Sequence, residues 1–373
     1  MNSHTETGNA REEKQTMKAR VIAAIVLALL GGPSMIASAQ QSDRCVPGKP
    51  EPVFSVPPGQ DTDSVAVADN GDVFTLEVYS GTVYRVDADG KTKVIAALFP
   101  AGKYPSLTAL GLLLGDDGSI YVLANTWDPA THGVWQVYLD GRVRLVAAIP
   151  TQGFLNGQPT NGLLNGQALD PQGNRYVTDS PLGAIWKVSR EGKVELWVQS
   201  DLLIWATDPT GPFGAAGIAY RDGTLYVANV DTGAGLLPNL RGSNYPVVSV
   251  PIERDGSAGP VQVSVVGDIR VADGVAFDHQ GNMYVADFGG EPAWGPWALP
   301  YAGPARLLRF DPDGNNETVI AEAGLCNSSK VAIRGNTAYV TNLYVAGGGA
   351  FGFAGCLPEV VPNIVKVELC PNH

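Results

Sequence analysis

One short pattern recurs six times along the chain, and it limits the possible folds more than any other feature. Each copy has an apolar strand, a tight turn that ends in glycine, and a second strand with an aromatic residue at its second position. The turn glycines are Gly71, Gly118, Gly173, Gly223, Gly281 and Gly335, and the second strands cover residues 73–77, 120–124, 175–179, 225–229, 283–287 and 338–342. Successive glycines are 47 to 58 residues apart, a period typical of radial arrays of β-sheets.

Each repeat is long enough for four antiparallel strands. A third apolar segment follows the second strand, for example at residues 82–86, and most copies then turn through Asp-Gly or a close equivalent, as at Asp89-Gly90. Such pairs favour hairpin turns, because both positions tolerate positive φ. We therefore predict an all-β fold, a six-bladed β-propeller with four-stranded antiparallel blades.

The sixth repeat ends after three strands, the last at residues 364–369. Its missing outer strand can come from residues 52–56, which would close the ring and leave no open join. A β-solenoid is disfavoured because the turns are those of antiparallel hairpins. A seven-bladed ring would need a seventh copy, and the sequence contains six.

The N-terminal residues have the pattern of a signal peptide. Residues 17–20 give a basic start with Lys18 and Arg20, residues 21–30 are all apolar, and Ala37-Ser38-Ala39 has the form of a cleavage site. The apolar run is far shorter than the roughly 20 residues of a membrane span, although an uncleaved anchor is an alternative. We predict a signal peptide over residues 1–39, with Met17 as a second possible start, and one propeller domain over residues 40–373. The mature protein is then secreted or periplasmic and has no membrane span.

Charge and motifs exclude several classes of function. The formal net charge is −12, which argues against nucleic acid as a partner. The sequence has no Gly-x-Ser-x-Gly elbow, no His-Glu-x-x-His pair and no phosphate-binding loop, so serine-hydrolase, zincin and nucleotide-binding functions lack support. We expect a monomer that binds a small organic ligand.

Four cysteines follow the predicted cleavage site, where oxidation is favoured, and they allow three pairings. We predict a disulfide between Cys45 and Cys370, which flank the ring closure. A second disulfide is predicted between Cys326 and Cys356, which both lie inside the last repeat.

The connections differ between the two ends of the predicted ring. The turns inside the strand pairs one–two and three–four are short, whereas connections at the opposite end include residues 153–164, 204–215, 230–246, 288–304 and 343–362. Long loops in a compact domain usually bind something, and aromatic side chains there would form an apolar pocket over the channel. The alternative is that these rings only pack the loops together. We select as substrate-binding candidates Trp127, His132, Asn229, Trp294, Trp297 and Tyr344.

Oxygen-bearing side chains alternate with small or apolar ones at the starts of the first strands. The aligned residues are Asp63, Leu110, Asn165, Ala216, Asp273 and Ser329. Carboxylate and amide oxygens converging from blades one, three and five are ligands that Ca²⁺ prefers, with waters completing its shell. We therefore predict a divalent cation, Ca²⁺, bound by Asp63, Asn165 and Asp273. The alternative is that these residues cap turns. A second polar ring could come from the second-strand ends, Glu77, Asp179, Asn229, Asp287 and Asn342.

Residues 165–170 (Asn-Gly-Gln-Ala-Leu-Asp) and 273–278 (Asp-Gly-Val-Ala-Phe-Asp) resemble blade openings of the senescence-marker-protein, gluconolactonase and luciferin-regenerating-enzyme family. Segments 179–183 and 225–229 agree with it, although much of the pattern is shared with NHL-repeat and strictosidine-synthase-like propellers. The resemblance implies a cation at the channel mouth and hydrolysis of lactones or related esters. It also implies that Asn165 is the amide ligand and that Asp273 is both a ligand and the catalytic base. The family's opening Glu-Gly-Pro is replaced here by Asp63-Ser64-Val65.

Three functions follow as hypotheses. The first is an exported, calcium-dependent hydrolase of a lactone or ester, whose metal polarises the carbonyl group and activates a water. The second is a cofactor-free cyclase or lyase that folds its substrate in an aromatic pocket. The third is a ligand-binding propeller without catalysis. His132 is the histidine at the long-loop end that could act as an acid or base.

Overall fold

Six four-stranded sheets follow one another along the chain. The computed structural model describes residues 47–57, 60–204, 214–230, 246–265, 267–269, 271–289, 304–343 and 363–370, all within the unit Val46–His373. The first three strands of the chain are β1 (Glu51–Phe54), β2 (Thr62–Val67) and β3 (Val73–Glu77), followed by β4 (Thr82–Val86) and β5 (Thr92–Ala97). Strands β2 to β5 form blade one, and they lie side by side in sequence order.

Blades two to five repeat this meander. Blade two contains β6 (Thr108–Leu114), β7 (Ile120–Asn125), β8 (Gly133–Val137) and β9 (Val143–Ala148). A hairpin of β10 (Gln152–Leu155) and β11 (Gln158–Asn161) precedes blade three, which contains β12 (Leu164–Leu169), β13 (Arg175–Asp179), β14 (Ala184–Val188) and β15 (Val194–Gln199). A 3₁₀ turn at Asp201–Leu203 leads to blade four, with β16 (Ala215–Arg221), β17 (Thr224–Asn229), β18 (Val247–Pro251) and β19 (Gln262–Val265). Blade five contains β20 (Ala272–Phe277), β21 (Met283–Asp287), β22 (Arg306–Phe310) and β23 (Thr318–Ala321).

The sixth blade closes the ring as the sequence predicted. Its own strands are β24 (Ser328–Arg334), β25 (Thr337–Asn342) and β26 (Ile364–Glu368), and β1 adds to the outer edge of β26. The pairing is antiparallel, with Pro52 opposite Val365 and Phe54 opposite Ile364. The outermost strand of the last blade therefore comes from the opposite end of the chain. The predicted six-bladed, all-β architecture is confirmed.

The core lies between the blades. Buried apolar residues form six clusters, one at each contact between neighbouring blades, and a seventh cluster gathers residues from all six blades. The aromatic residue of the repeated pattern belongs to this core, and Tyr176 is fully buried between blades three and four. Each blade thus buries its two faces against its neighbours, which is why a single repeat could not fold alone.

One prediction about the loops was wrong. Residues 153–164 were expected to be one of the long loops, without regular structure, but most of this segment belongs to the β10–β11 hairpin. Its turn is Asn156-Gly157, and both residues have positive φ, 49° and 77°. Asn-Gly is the strongest short hairpin signal because asparagine and glycine tolerate this conformation best. The dipeptide was therefore visible in the sequence.

The inner strands of neighbouring blades approach closely at their first residues. In four blades the aligned residue of the predicted column is followed by glycine, at Gly111, Gly166, Gly217 and Gly274. A Cβ atom at any of these positions would lie 2.4 to 2.6 Å from a backbone oxygen of the next blade. That is shorter than any allowed non-bonded contact, so only glycine permits this spacing around the channel.

The cysteines are partly within the described residues. Cys326 and Cys370 are both disulfide-bonded. Cys45 and Cys356 lie outside the described residues, as does the predicted signal peptide, so the predicted pairing and the cleavage stay predictions. Among the described residues, no helix has the length and apolar content that crossing a membrane requires.

Closure by β1 leads to a stability prediction. Phe54 is 7% exposed, packs with Ile364 of blade six and Val65 of blade one, and its ring centroid lies 5.2 Å from that of Tyr84. Replacing Phe54 by Ala should lower the free energy of unfolding by about 3 kcal/mol, because it removes apolar contacts on both sides of the closure. Urea denaturation followed by fluorescence measures the change.

A matched control is Phe154→Ala in the β10–β11 hairpin, where the side chain is 67% exposed. It should change the free energy of unfolding by less than about 0.5 kcal/mol. An equal loss of unfolding free energy in Phe54→Ala and Phe154→Ala would show that β1 does not stabilise the closure of the ring.

Candidate functional site

The six aligned residues of the predicted column lie at one level around the channel. Each is the second or third residue of the innermost strand of its blade. Backbone contacts link them in sequence: Gly111 approaches the carbonyl oxygen of Asn165, Gly166 that of Ala216, Gly217 that of Asp273, and Gly274 that of Ser329. The hydroxyl group of Ser329 then donates to the carbonyl oxygen of Asp63 at 2.8 Å and completes the series from blade six to blade one.

A lysine joins the two predicted metal-binding carboxylates. The ammonium nitrogen of Lys330 lies 2.6 Å from Oδ1 of Asp273 and 3.5 Å from Oδ1 of Asp63. Lys330 comes from blade six, which lies between blade five with Asp273 and blade one with Asp63. All three side chains are nearly buried, with exposed fractions of 11%, 9% and 4% for Lys330, Asp273 and Asp63. We name these three residues the charged triad.

Hydroxyl groups and backbone atoms fix the triad in place. Ser64 donates from its hydroxyl group to Oδ2 of Asp63 at 2.9 Å. The backbone N–H of Lys330 donates to the hydroxyl oxygen of Thr341 at 2.8 Å, and Thr341 lies 2.8 Å from the carbonyl oxygen of Asp63. The strand that carries Lys330 is therefore tied through Thr341 to the strand that carries Asp63.

Burial and charge shift the pKa values of the triad. Burial raises the pKa of Asp273 to about 6; the Lys330 ammonium opposes this rise, and the nearby Asp63 carboxylate adds to it. Burial alone would lower the pKa of Lys330, but the charges of Asp273 and Asp63 outweigh it and raise that pKa above its ordinary value. At neutral pH the site therefore contains a fixed ammonium and an ionised Asp273 whose proton affinity is higher than that of an exposed aspartate.

These residues do not fit the predicted calcium site. Within the described residues, no three acidic, histidine or cysteine side chains are grouped so that they could hold a metal ion. The Lys330 ammonium already contacts both carboxylates. A divalent cation about 4 Å from this ammonium would be repelled by roughly 8 kcal/mol at an effective dielectric constant near 20. Calcium binding stays an untested prediction that this arrangement does not favour.

Asn165 stands apart from the triad. Its side-chain oxygen is buried and accepts no hydrogen bond among the described residues. A buried acceptor without a partner calls for a donor from a water or a ligand. Asn165 shares the level of Asp63 and Asp273 around the channel, so a ligand bound there could supply that donor.

Several second-strand ends, which the sequence suggested as a second polar ring, act as caps for the backbone. The side chains of Asp179, Asp287 and Asn342 each accept a hydrogen bond from the backbone N–H sixteen residues earlier, at 2.9, 2.9 and 3.0 Å. Glu77 is placed in the same way opposite the N–H of Asp61 at 3.5 Å. In these four blades, the side chain thus holds the start of the inner strand against the end of the second strand.

Two of these caps and one further second-strand end make additional contacts. Asp179 also accepts a hydrogen bond from the indole N–H of Trp186 at 3.0 Å, and burial raises the pKa of its carboxyl group to about 6. Asp287 forms a buried ion pair with Arg306 at 2.6 Å. Asn229, a predicted substrate-binding residue, donates to the carbonyl oxygen of Leu202 at 3.0 Å.

An apolar ring surrounds the same end of the channel. Its buried members are Val78, Leu110, Leu163, Ala216, Val230, Val271, Phe288 and Leu343. Val230, Phe288 and Leu343 directly follow second strands, so the long connections of blades four, five and six begin at this ring. The charged triad therefore lies next to apolar side chains, at the end that the sequence assigned to ligand binding.

His132 and Trp127 form a separate feature in blade two. The His132 side chain is fully buried, neither ring nitrogen has a hydrogen-bond partner among the described residues, and burial lowers its pKa to about 4. Its ring centroid lies 5.9 Å from that of Trp127, which is 39% exposed. Neither residue makes a hydrogen bond or ion pair with the charged triad. The other predicted substrate-binding residues, Trp294, Trp297 and Tyr344, lie outside the described residues.

Lys330 is the functional candidate that the sequence interpretation missed. A signal for it was present: glycine follows the aligned residue in blades two to five, but lysine follows it in blade six. A long basic side chain at a position that is glycine in four other blades marks a departure from the repeat. Its partners could not be identified before the blades were arranged, because Asp63 and Asp273 come from other repeats.

No family model and no curated protein matches the sequence. A gluconolactonase from Xanthomonas campestris superposes with a TM-score of 0.55 and 12% identity, over 87% of this chain and 97% of its own. A protein classed as a gluconolactonase gives a TM-score of 0.55 and 14% identity, over 86% and 92% of the two chains. A streptogramin B lyase reaches a TM-score of 0.49 and 11% identity, over 87% of this chain and 98% of its own. That superposition is too weak to support a conclusion about this protein. At these identities the likeness shows the fold alone, and it agrees with the propeller that the sequence resemblance implied.

The buried cap at Asp179 leads to a pH prediction. Its pKa of about 6 in the folded protein lies above the ordinary value of 3.8. The folded state then binds more protons than the unfolded state between about pH 4 and 6, so this group lowers stability as pH rises, by at most about 1.4 kcal/mol per unit. In Asp179→Asn, the free energy of unfolding should fall less steeply than in the wild type as the pH rises from about 4 to 6.

Urea denaturation of the wild type and the variant at pH 4, 5, 6 and 7 measures the difference. Asp273 titrates in both proteins, so subtraction isolates Asp179. The hydrogen bond lost by the amide gives an offset that does not depend on pH. If the free energies of unfolding of the two proteins changed in parallel with pH, the raised pKa of Asp179 would be contradicted.

Proposed function

We propose that this protein is an exported hydrolase that opens a lactone, or cleaves a related ester, at the charged triad on the long-loop end of the channel. The observation that carries the proposal is the buried pair of Asp273 and Lys330, joined at 2.6 Å. A carboxylate with raised proton affinity beside a fixed ammonium offers a base and an electrostatic stabiliser within one small volume. Perturbed pKa values of this kind are concentrated at functional sites.

The reaction needs one water molecule. Asp273 accepts a proton from this water while the water oxygen attacks the carbonyl carbon of the lactone. The Lys330 ammonium stabilises the negative charge that develops on the carbonyl oxygen. The bond between the carbonyl carbon and the ring oxygen then breaks, and Asp273 returns the proton to that oxygen. The product is the open-chain hydroxy acid.

The surroundings of the triad support a neutral organic substrate. The apolar ring, with Phe288 and Leu343 among its members, can contact the carbon skeleton. The unpaired side-chain oxygen of Asn165 can accept a hydrogen bond from a substrate hydroxyl group. The product carries a new carboxylate, which Asp63 and Asp273 would repel, and this repulsion favours its release.

The likeness to gluconolactonases sets the first substrates to test. At 12% and 14% identity it supports only the choice of a panel. The panel contains gluconolactone, unsubstituted γ- and δ-lactones, and an aryl ester. The competing functions, a cofactor-free cyclase or lyase and a ligand-binding propeller, predict no hydrolysis of any member. Binding without turnover would appear as ligand-induced thermal stabilisation alone.

Replacing Asp273 by Asn tests the base. We expect kcat/KM for the best lactone of the panel to fall by about 100-fold or more, because the amide cannot accept the proton of the attacking water. KM should change much less than kcat. Initial rates followed by a pH indicator measure the loss.

The matched control is Asp278→Asn in the same blade. Asp278 accepts hydrogen bonds from the backbone N–H groups of Gln280 and Asn282 in the turn at the opposite end of β20, so this variant should keep activity near that of the wild type. Circular dichroism confirms that both variants are folded. Wild-type rates in Asp273→Asn, or no hydrolysis of any panel member by the wild type, would refute the proposal.

Export and oligomeric state are part of the same proposal. Cleavage after Ala39 would give a mature protein that begins at Gln40, outside the cytoplasm. N-terminal sequencing of the protein from a periplasmic or culture fraction, with size-exclusion chromatography for the expected monomer, tests both.

A further inference from the structure

The position that Lys330 occupies in blade six is glycine in most of the other blades. The residue after the aligned column is Ser64 in blade one, glycine in blades two to five, and Lys330 in blade six. Four blades thus show that the fold itself needs no side chain there. A charged side chain at this one position needs an explanation other than the geometry of the strand.

The side chain of Lys330 extends to both acidic residues of the column. Its nitrogen contacts Asp273 at 2.6 Å and Asp63 at 3.5 Å, and these are the carboxylates of the column. The ammonium therefore stands between the two groups that a metal ion at this level would have to bind. It also supplies the positive charge that such an ion would supply.

A buried ammonium needs its partners. Removing an ammonium from water is unfavourable, and a geometry with two close carboxylates offsets this cost. The reverse also holds, because two carboxylates fixed near each other in the channel repel unless a cation lies between them. The side chains of Asp63, Asp273 and Lys330 therefore stabilise each other only as a set.

We propose that Lys330 is the built-in cation of this channel and takes the place of a divalent metal ion, so that the site functions without one. The acidic pair is then saturated by the chain's own ammonium. Hydrolysis is not required for this inference, which concerns only what neutralises Asp63 and Asp273.

The first experiment uses the wild-type protein as purified. Elemental analysis should find no metal in stoichiometric amount. Thermal melting should give the same midpoint with added CaCl₂, MgCl₂, MnCl₂ or EDTA. About one equivalent of bound metal, or a midpoint that rises with CaCl₂ and falls with EDTA, would overturn the proposal.

Two substitutions at the same position test the replacement directly. Lys330→Met keeps most of the side-chain volume and removes the charge, whereas Lys330→Gly removes both and introduces the residue found in four other blades. Both variants should melt at least a few degrees below the wild type in EDTA, because the carboxylates lose their cation. Added CaCl₂ should raise the melting midpoint of Lys330→Gly, where space is open, and leave that of Lys330→Met unchanged.

A control lysine is available on the surface. Lys366 forms an exposed ion pair with Glu51 at 3.2 Å, so Lys366→Met should melt near the wild type and show no response to calcium. Wild-type melting of Lys330→Met in EDTA would contradict the proposal. So would a calcium response equal in Lys330→Gly and Lys366→Met.

The wild-type metal test also separates this inference from the proposed hydrolysis. Absence of lactone turnover together with absence of bound metal would refute the hydrolase and support the built-in cation. Lactone turnover that EDTA abolishes would support the hydrolase and refute the built-in cation.

Discussion

The close backbone contact between neighbouring inner strands is the constraint on which the rest of this structure depends. Glycines after the aligned residues let the strand starts approach to a distance that no Cβ would allow. With the strands this close, their first side chains meet at one level around the channel. Six repeats that are separate in sequence thus contribute to a single small region. The contact between Ser329 and Asp63 extends this arrangement across the junction that closes the ring.

That geometry explains why charge is concentrated in so little volume. Each repeat places the second or third residue of its first strand toward the same end, and two of these six residues are aspartates in the blades that flank blade six. Two buried carboxylates that act on each other electrostatically are stabilised by a cation, and Lys330 provides it from the strand between them. The result is a site in which the pKa of Asp273 and that of Lys330 are both set by burial and by each other.

The same end of the ring contains two different kinds of polar residue, and they have different roles. The second-strand ends, such as Asp179 and Asn342, are engaged by backbone N–H groups and hold the blade together. At the first-strand starts, the Asp63 and Asp273 carboxylates contact the Lys330 ammonium from another blade, and the side-chain oxygen of Asn165 has no partner among the described residues. The residue type alone would not distinguish second-strand ends from first-strand starts, since Asp and Asn occur in both sets. The distinction follows from which backbone donors lie within reach.

The sequence by itself determined the number of blades, the order of the strands, the closing role of the N-terminal segment and the end of the ring that carries the long connections. The blade number and strand order are encoded locally, since a glycine turn, an alternating strand and a repeat length act within about 50 residues. The closing role of the N-terminal segment followed from the strand count, because the last repeat is one strand short. Even the missed hairpin had a local signal in Asn156-Gly157. Only the tertiary structure decided that the acidic pair is joined by Lys330, which stands 57 residues from Asp273. Such pairing depends on which strands become neighbours in the closed ring, and on the burial that makes an unpaired charge there unfavourable.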